Sequence, residues 1–96
     1  MGGTGSMSYR VEVTKRFERD FRKLDKYTQK IISGWISKHL INCIDPRTNG
    51  KALAGKYAGL WRYRIGDYRL ICLIKDDEMV ILAMTVGHRK EIYEKK

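Results

Sequence analysis

The chain has 96 residues and a formal net charge of +9, with 20 Lys and Arg against 11 Asp and Glu. That length holds one domain with one modest core, and a field of that sign on so small a body suits nucleic acid or another acidic partner. No apolar run approaches the length needed to cross a bilayer, which argues against a membrane protein.

The two cysteines, Cys43 and Cys72, sit far apart at apolar positions. They read first as small core residues of a cytoplasmic protein, with a disulfide or a metal pair as the lesser reading. The opening MGGTGS, residues 1–6, reads as an expression scar, which leaves 7–96 as a single domain. Residues 8–13 alternate polar and apolar, with Tyr9, Val11 and Val13 on one side, and predict a first strand. Thr14 is placed to cap a helix in which Phe17, Phe21 and Leu24 recur at four- and three-residue steps. Lys15, Arg16, Arg19, Arg22, Lys23 and Lys26 cover the rest of it, a solvated face that adds to the long-range field.

Residues 25–28 break the register and offer a cap for a second helix at about 28–42. Ile32, Trp35, Ile36, His39 and Cys43 lie along one side of it. His39 has no companion ligand nearby and reads as a core or helix-surface residue. Gly34, in mid-helix, costs about 1 kcal/mol relative to Ala, and close approach of the first helix would explain it. Residues 45–59, DPRTNGKALAGKYAG, hold the only proline and three glycines, and are long for a connection. Within them KALAG at 51–55 predicts one helical turn ended by glycine, with Leu53 in the core and Lys51 and Lys56 flanking the segment that follows.

That segment, LWRYRIGDYRLICL at 60–73, predicts a β-hairpin. Gly66-Asp67 makes the turn, so Ile65 pairs with Tyr68, Arg64 with Arg69, Tyr63 with Leu70 and Arg62 with Ile71. Arg62, Arg64 and Arg69 then share one face, and Trp61, Tyr63 and Leu70 the other. Like charges about 5 Å apart repel by about 1 kcal/mol in water and about 3 at an effective dielectric of 20. A scaffold gains nothing from this, whereas a polyanion site uses it. A solvated edge strand with scattered arginines is the other reading, and composition alone weighs the two equally.

Asp76-Asp77 predicts a second tight turn, pairing Lys75 with Glu78 and leading into a third strand at 78–86. Val80, Leu82 and Met84 then join Ile71 and Leu73 beside Arg69, an apolar strip of the kind that marks a partner surface or the cover of another element. GHRKEIY at 87–93 leaves the strand through glycine into a short terminal helix or turn. His88, Arg89 and Tyr93 are thereby brought towards Tyr68 and Arg69.

Arg62, Arg64, Arg69 and Arg89 suit phosphoryl chemistry on RNA, because guanidinium groups bind phosphate oxygens bidentately and stabilise a charged transition state. With pKa values above about 12 they move protons poorly. His88 or Tyr93 could carry that role, and Tyr93 could instead stack on a base. Two histidines, with no carboxylate cluster and no cysteine pair at ligand spacing, argue against a metal site. Taken singly, each residue has a plainer reading: Arg89 and Lys90 as a basic terminal turn, Tyr93 packed on the sheet edge, Trp61 and Tyr63 as core.

At these residues the sequence resembles the RelE/ParE toxin family of bacterial and archaeal toxin–antitoxin systems. The carriers are KALAG at 51–55, GLWRYRIGDYRLI at 59–71 and VGHRKEIY at 86–93, and the likeness extends over essentially all of 7–93. It implies a compact α+β fold, β-α-α-β-β-β, with an antiparallel meander, a helical hairpin packed on the sheet and a short C-terminal helix. For RelE-like members it implies an endoribonuclease that cuts mRNA in the ribosomal A site and so inhibits translation; with the lone cysteines and the missing ligand cluster, a cytoplasmic enzyme that needs no metal or cofactor is expected. Attack by the 2′-hydroxyl would leave a 2′,3′-cyclic phosphate, and a RelB-like antitoxin would neutralise the toxin.

The family's basic pair before the turn matches Arg62 and Arg64, and its arginine after the turn matches Arg69. The arginine after the last strand matches Arg89, and the terminal tyrosine matches Tyr93. The matched positions, with His88 added for its closeness to Arg89, make Arg64, Arg69, Arg89, Tyr93 and His88 the expected catalytic residues. Beside them, Lys51, Lys56 and Arg62 are the expected RNA-binding residues, and the apolar strip of Ile71, Leu73, Leu82 and Met84 is the expected contact for an acidic, amphipathic antitoxin segment. Some RelE proteins carry lysine in place of Arg62 and Arg64, some have a longer gap before the tyrosine, and His88 replaces another residue. ParE-like members share the fold, poison DNA gyrase by protein–protein contact and lack the catalytic set; they are the alternative.

Overall fold

In the computed structural model, which describes residues 8–90, the chain runs through β1 (Arg10–Val13), α1 (Lys15–Arg22), α2 (Lys26–His39), β2 (Lys51–Ala52), β3 (Trp61–Ile65), β4 (Tyr68–Lys75) and β5 (Val80–His88). The expected terminal helix and Tyr93 lie outside the described residues. The strands form one mixed sheet in the order β1-β5-β4-β3-β2, with β1 parallel to β5 and the other pairs antiparallel. The α+β architecture and the β3–β4–β5 meander are those expected, with one strand more.

Thr14 does two jobs at the start of α1. Its hydroxyl oxygen accepts from the Phe17 N–H at 3.0 Å, and the hydroxyl donates to the Met84 carbonyl at 2.9 Å. That carbonyl belongs to a β-bulge: Ile71 faces Thr85 while Cys72 faces Ala83, so Met84 is an extra residue in β5. The cap therefore also ties α1 to the irregular point of the sheet. Thr85 adds a second tie, donating to Asp20 of α1 at 2.5 Å.

α2 begins two residues before the expected start, because Asp25 itself is the cap and accepts from the Thr28 N–H. The Gln29 amide donates to the carbonyls of Phe21 and Leu24, satisfying the end of α1 from the side of α2. Gly34 is not explained by helix contact, since a Cβ built on it meets nothing within 4 Å. It faces open space, and its helix cost is uncompensated.

Phe17, Ile32 and Leu40 from the helical side meet Tyr63, Leu70, Cys72, Ile81 and Ala83 of the sheet in one buried cluster. Cys72 is wholly buried and Cys43 half-buried, and both are free thiols. Ile71 and Val80 are also buried but stand outside that cluster.

Two connections differ from expectation. KALAG forms no helical turn: Lys51 and Ala52 pair with Arg62 and Trp61 as β2, and the Leu53 N–H donates to the Leu60 carbonyl. An isolated helical turn would close few backbone bonds, while the uncovered edge of β3 offers partners immediately. The helical turn falls instead at Gly55–Tyr57. After β4 the chain makes a turn at Asp76–Glu78 with Met79 left-handed, so Lys75 faces Val80, not Glu78. The shift is by two residues, which leaves Val80 and Leu82 on the expected face.

Candidate functional site

The β3–β4 hairpin has the expected register: Ile65 faces Tyr68, Arg64 faces Arg69, Tyr63 faces Leu70 and Arg62 faces Ile71. Gly66, at φ +61°, supplies the left-handed position of the turn. Since side chains alternate across a strand, Arg62, Arg64 and Arg69 share the face away from Tyr63. Arg69 folds back on the turn, its Nη1 donating to the Gly66 and Tyr68 carbonyls at 3.0 and 3.1 Å. Arg89 reaches the same turn from the end of β5. Its N–H donates to the Asp67 carbonyl at 2.8 Å, and its Nε stands 4.0 Å from Asp67 Oδ1. Arg64, Arg69 and Arg89 are thus gathered around one hairpin tip.

At the other end of β3, Lys51 faces Arg62 across the β2–β3 pair. The Arg62 Nε is shielded from solvent and has no hydrogen-bond partner among the described residues. A cavity of about 310 Å³ opens there, lined by Trp35, Asn49, Gly50, Lys51, Arg62 and Arg64.

The loop before β2 is fastened at several points. The Tyr63 hydroxyl donates to the Pro46 carbonyl at 2.6 Å, and Trp61 Nε1 donates to the Asn49 carbonyl at 2.7 Å. Arg47 grips Asp76 with two bonds of 3.0 and 3.1 Å and lies over the Trp61 ring, 5.8 Å from its centre. Tyr9 donates to Asp76 at 2.6 Å. Hydrogen bonds from Arg47 first, and then from Tyr9, hold the Asp76 carboxyl below its usual range. Burial pushes the Tyr63 phenol well above its ordinary value, so it remains a neutral donor.

Other candidates stand apart. His88 faces Tyr68, in an edge-to-face contact with ring centres 5.5 Å apart, and its Nδ1 accepts from the Lys90 N–H. It therefore shares the face of Ile65 and Tyr68, opposite Arg64 and Arg69. Lys56 is exposed, with its Nζ 5.5 Å from the centre of the Tyr57 ring, and does not line the cavity. Among the described residues no three His, Cys, Asp or Glu side chains gather as metal ligands would, and no helix is long and apolar enough to cross a membrane.

The family profile described as the ParE toxin of type II toxin–antitoxin systems matches residues 11–93. The chain belongs to the RelE/ParE toxin family. Toxin RelG of Mycobacterium tuberculosis is 30% identical over 89 residues, spanning 93% of this chain and all of that protein. The toxin–antitoxin complex RelBE2 of the same organism holds a chain with a TM-score of 0.73 and 28% identity, the match covering 88% of this chain and 95% of that one. The isolated E. coli RelE toxin shares the fold at 22% identity, with a TM-score of 0.68 over 91% of this chain and 93% of that one.

On this RelE/ParE scaffold, Leu73 and Leu82 are half-buried and face each other on the arginine side of the sheet. Met84, expected with them, is half-buried but falls at the bulge, where Thr85 takes the place opposite Ile71. Ile71 is already covered, with 4% of its surface exposed. Trp35, Asn49 and Gly50 were assigned no role by sequence reasoning. Trp35 sits in the apolar stripe of a helix and carries the pattern of any core residue, so no local signal separates it. The Asn-Gly pair ahead of Lys51 was the one available hint, since such pairs mark places where the backbone turns sharply.

Proposed function

We propose that this toxin is a ribosome-dependent endoribonuclease that cuts mRNA in the A site and so stops translation. The observation that carries the reading is the opposition of Arg64 and Arg69 with Arg89 tied to the same turn. Such an array is electrostatically costly without an anion and favourable with one. In this reading Arg64 and Arg69 hold the scissile phosphate, and Arg62 and Lys51 hold the flanking backbone. Arg89 stabilises the leaving side. The 2′-oxygen bonds to phosphorus, the bond to the 5′-oxygen breaks, and the arginines stabilise the charge that accumulates on the phosphoryl oxygens. The 2′-hydroxyl proton is lost and the 5′-oxygen gains one, with Tyr93 as the chain's proposed proton carrier. His88, on the other face, is given no contact with the phosphate, and Lys56 only a long-range share of the field.

An acidic, amphipathic antitoxin segment is the proposed inhibitor, lying over Leu73, Leu82 and Met84 and reaching the arginines. The neighbouring RelBE2 structure, itself a toxin–antitoxin complex, supports such a partner. The description of the matching family profile as ParE favours a second reading, a gyrase-directed toxin acting by protein contact.

Primer extension on mRNA from cells after induction separates the two. Cuts within translated codons support the nuclease. Intact mRNA with DNA breaks and filamentation would replace it with the gyrase reading.

A further inference from the structure

The cavity at the outer edge of β3 exists because β2 is so short. Lys51 pairs with Arg62, and continued pairing would carry Gly50 and Asn49 along Tyr63 and Arg64. Instead the chain turns away at Gly50, φ +86°, and the Asn49 carbonyl is held by Trp61. The edge of β3 beyond Arg62 is left uncovered, and Trp35 of α2 closes the space from one side.

Its lining is three cations, one amide and one indole, without a carboxylate. The Arg62 Nε is shielded and finds no acceptor among the described residues, so the guanidinium stands at the cavity wall with that donor unsatisfied, a costly state that an anion in the cavity would offset by neutralising its charge. Trp35 is already fixed, its ring centre 5.4 Å from that of Tyr63 and 4.6 Å from that of His39, so it would lose little freedom on binding. An aromatic wall beside cations is the make-up of single-stranded RNA sites, where bases stack and phosphates pair. The volume of about 310 Å³ lies at the small end of ligand sites.

We infer that this cavity is a subsite for one nucleotide of single-stranded RNA flanking the cut, with Lys51 and Arg62 on its phosphate and Trp35 and Asn49 against its base, and that it biases which base stands there. The inference rests on the RNA-cleavage reading above. Asn49 is the residue that discriminates, because its amide offers both donors and an acceptor, whereas stacking on Trp35 accepts every base.

The test titrates the full-length, isotope-labelled toxin with 2′-O-methyl trinucleotides that differ only in the flanking base, following the Trp35 indole N–H resonance. These ligands lack the attacking hydroxyl, so binding is read apart from cleavage. The expected result is a saturable shift at Trp35 with a spread of roughly five-fold or more among the four bases. Asn49→Ala should narrow that spread, and Lys51→Ala should weaken all four alike. Both residues are exposed, so neither variant threatens the fold. An unmoved Trp35 signal, four equal affinities, or a shift produced only by an acidic peptide would overturn the subsite. Loss of cleavage on ribosomes with the Trp35 shift intact would remove the endonuclease and uphold the subsite.

Discussion

Gly50→Ala probes the contact that holds the basic loop against the sheet. A Cβ at this position would stand 2.4 Å from the Arg62 carbonyl oxygen, 2.6 Å from Trp61 Nε1 and 2.9 Å from Tyr63 Cδ1. The first of these is strand backbone, and the second already donates to Asn49 at 2.7 Å, so neither can yield cheaply. Forcing an L-residue to φ +86° adds about 1–2 kcal/mol, and overpacking adds about 1–3 more. If the loop retreats instead, the clash is relieved at the expense of the Trp61–Asn49 bond, about 1 kcal/mol, and of the short β2 ladder. The first route costs about 2–5 kcal/mol and the second, with the ladder bonds added to the lost Trp61–Asn49 bond, about 2, enough to lower Tm by about 10 °C or more in a domain of this size. Urea denaturation followed by tryptophan fluorescence reads the change. A midpoint matching the parent protein, with the same slope, would refute the claim that the loop is packed tightly here.

Gly34→Ala should do the reverse and stabilise by about 0.5–1 kcal/mol, because a Cβ there meets nothing within 4 Å; a loss of stability would reveal a contact at that face. Asp76 is held below the ordinary carboxylate range, so its contribution is complete above a pH of about 4 and disappears as pH falls through the lowered native value. Urea midpoints measured from about pH 7 down to about pH 2.5 should therefore fall less steeply for Asp76→Asn than for the parent, and parallel curves would count against the Arg47–Asp76–Tyr9 network. Arg69→Ala should abolish growth inhibition while circular dichroism stays unchanged, because the side chain donates to carbonyls at the hairpin tip and is no part of the buried hydrophobic cluster. A folded, equally toxic variant would remove Arg69 from the site.

The hairpin register was legible in the sequence because three local signals agree there: strict alternation, a Gly-Asp turn and aromatic residues on a single face. The α1 cap was legible for a similar reason, since Thr14 directly precedes the apolar stripe. What escaped depends on partners distant in the chain. Lys51-Ala52 has no strand character of its own and becomes β2 only because β3 offers an open edge. Arg47 meets Asp76 across 29 positions, and nothing local to either residue announces that pair. Trp35 shows the limit most clearly: helical periodicity put it in the core, which is half true, and only the departure of the loop at Gly50 exposes its other side to the cavity. His88 erred in the opposite direction. Proximity in sequence to Arg89 suggested a shared site, but strand alternation turns it to the other face.

The most direct measurement is a side-by-side assay of purified toxin on a free transcript and on the same mRNA in programmed ribosomes with an empty A site. An arginine-dominated site stabilises charge but shuttles protons poorly, so most of the acceleration must come from holding the 2′-oxygen in line with the leaving group, which can contribute roughly 7 kcal/mol or more. Ribosome-bound mRNA is already constrained, whereas free RNA is not. Rapid cleavage on ribosomes, slow cleavage of the free transcript, and upstream fragments ending in a 2′,3′-cyclic phosphate are expected. Equal rates on the two substrates, or products bearing a 5′-phosphate, would contradict this mechanism.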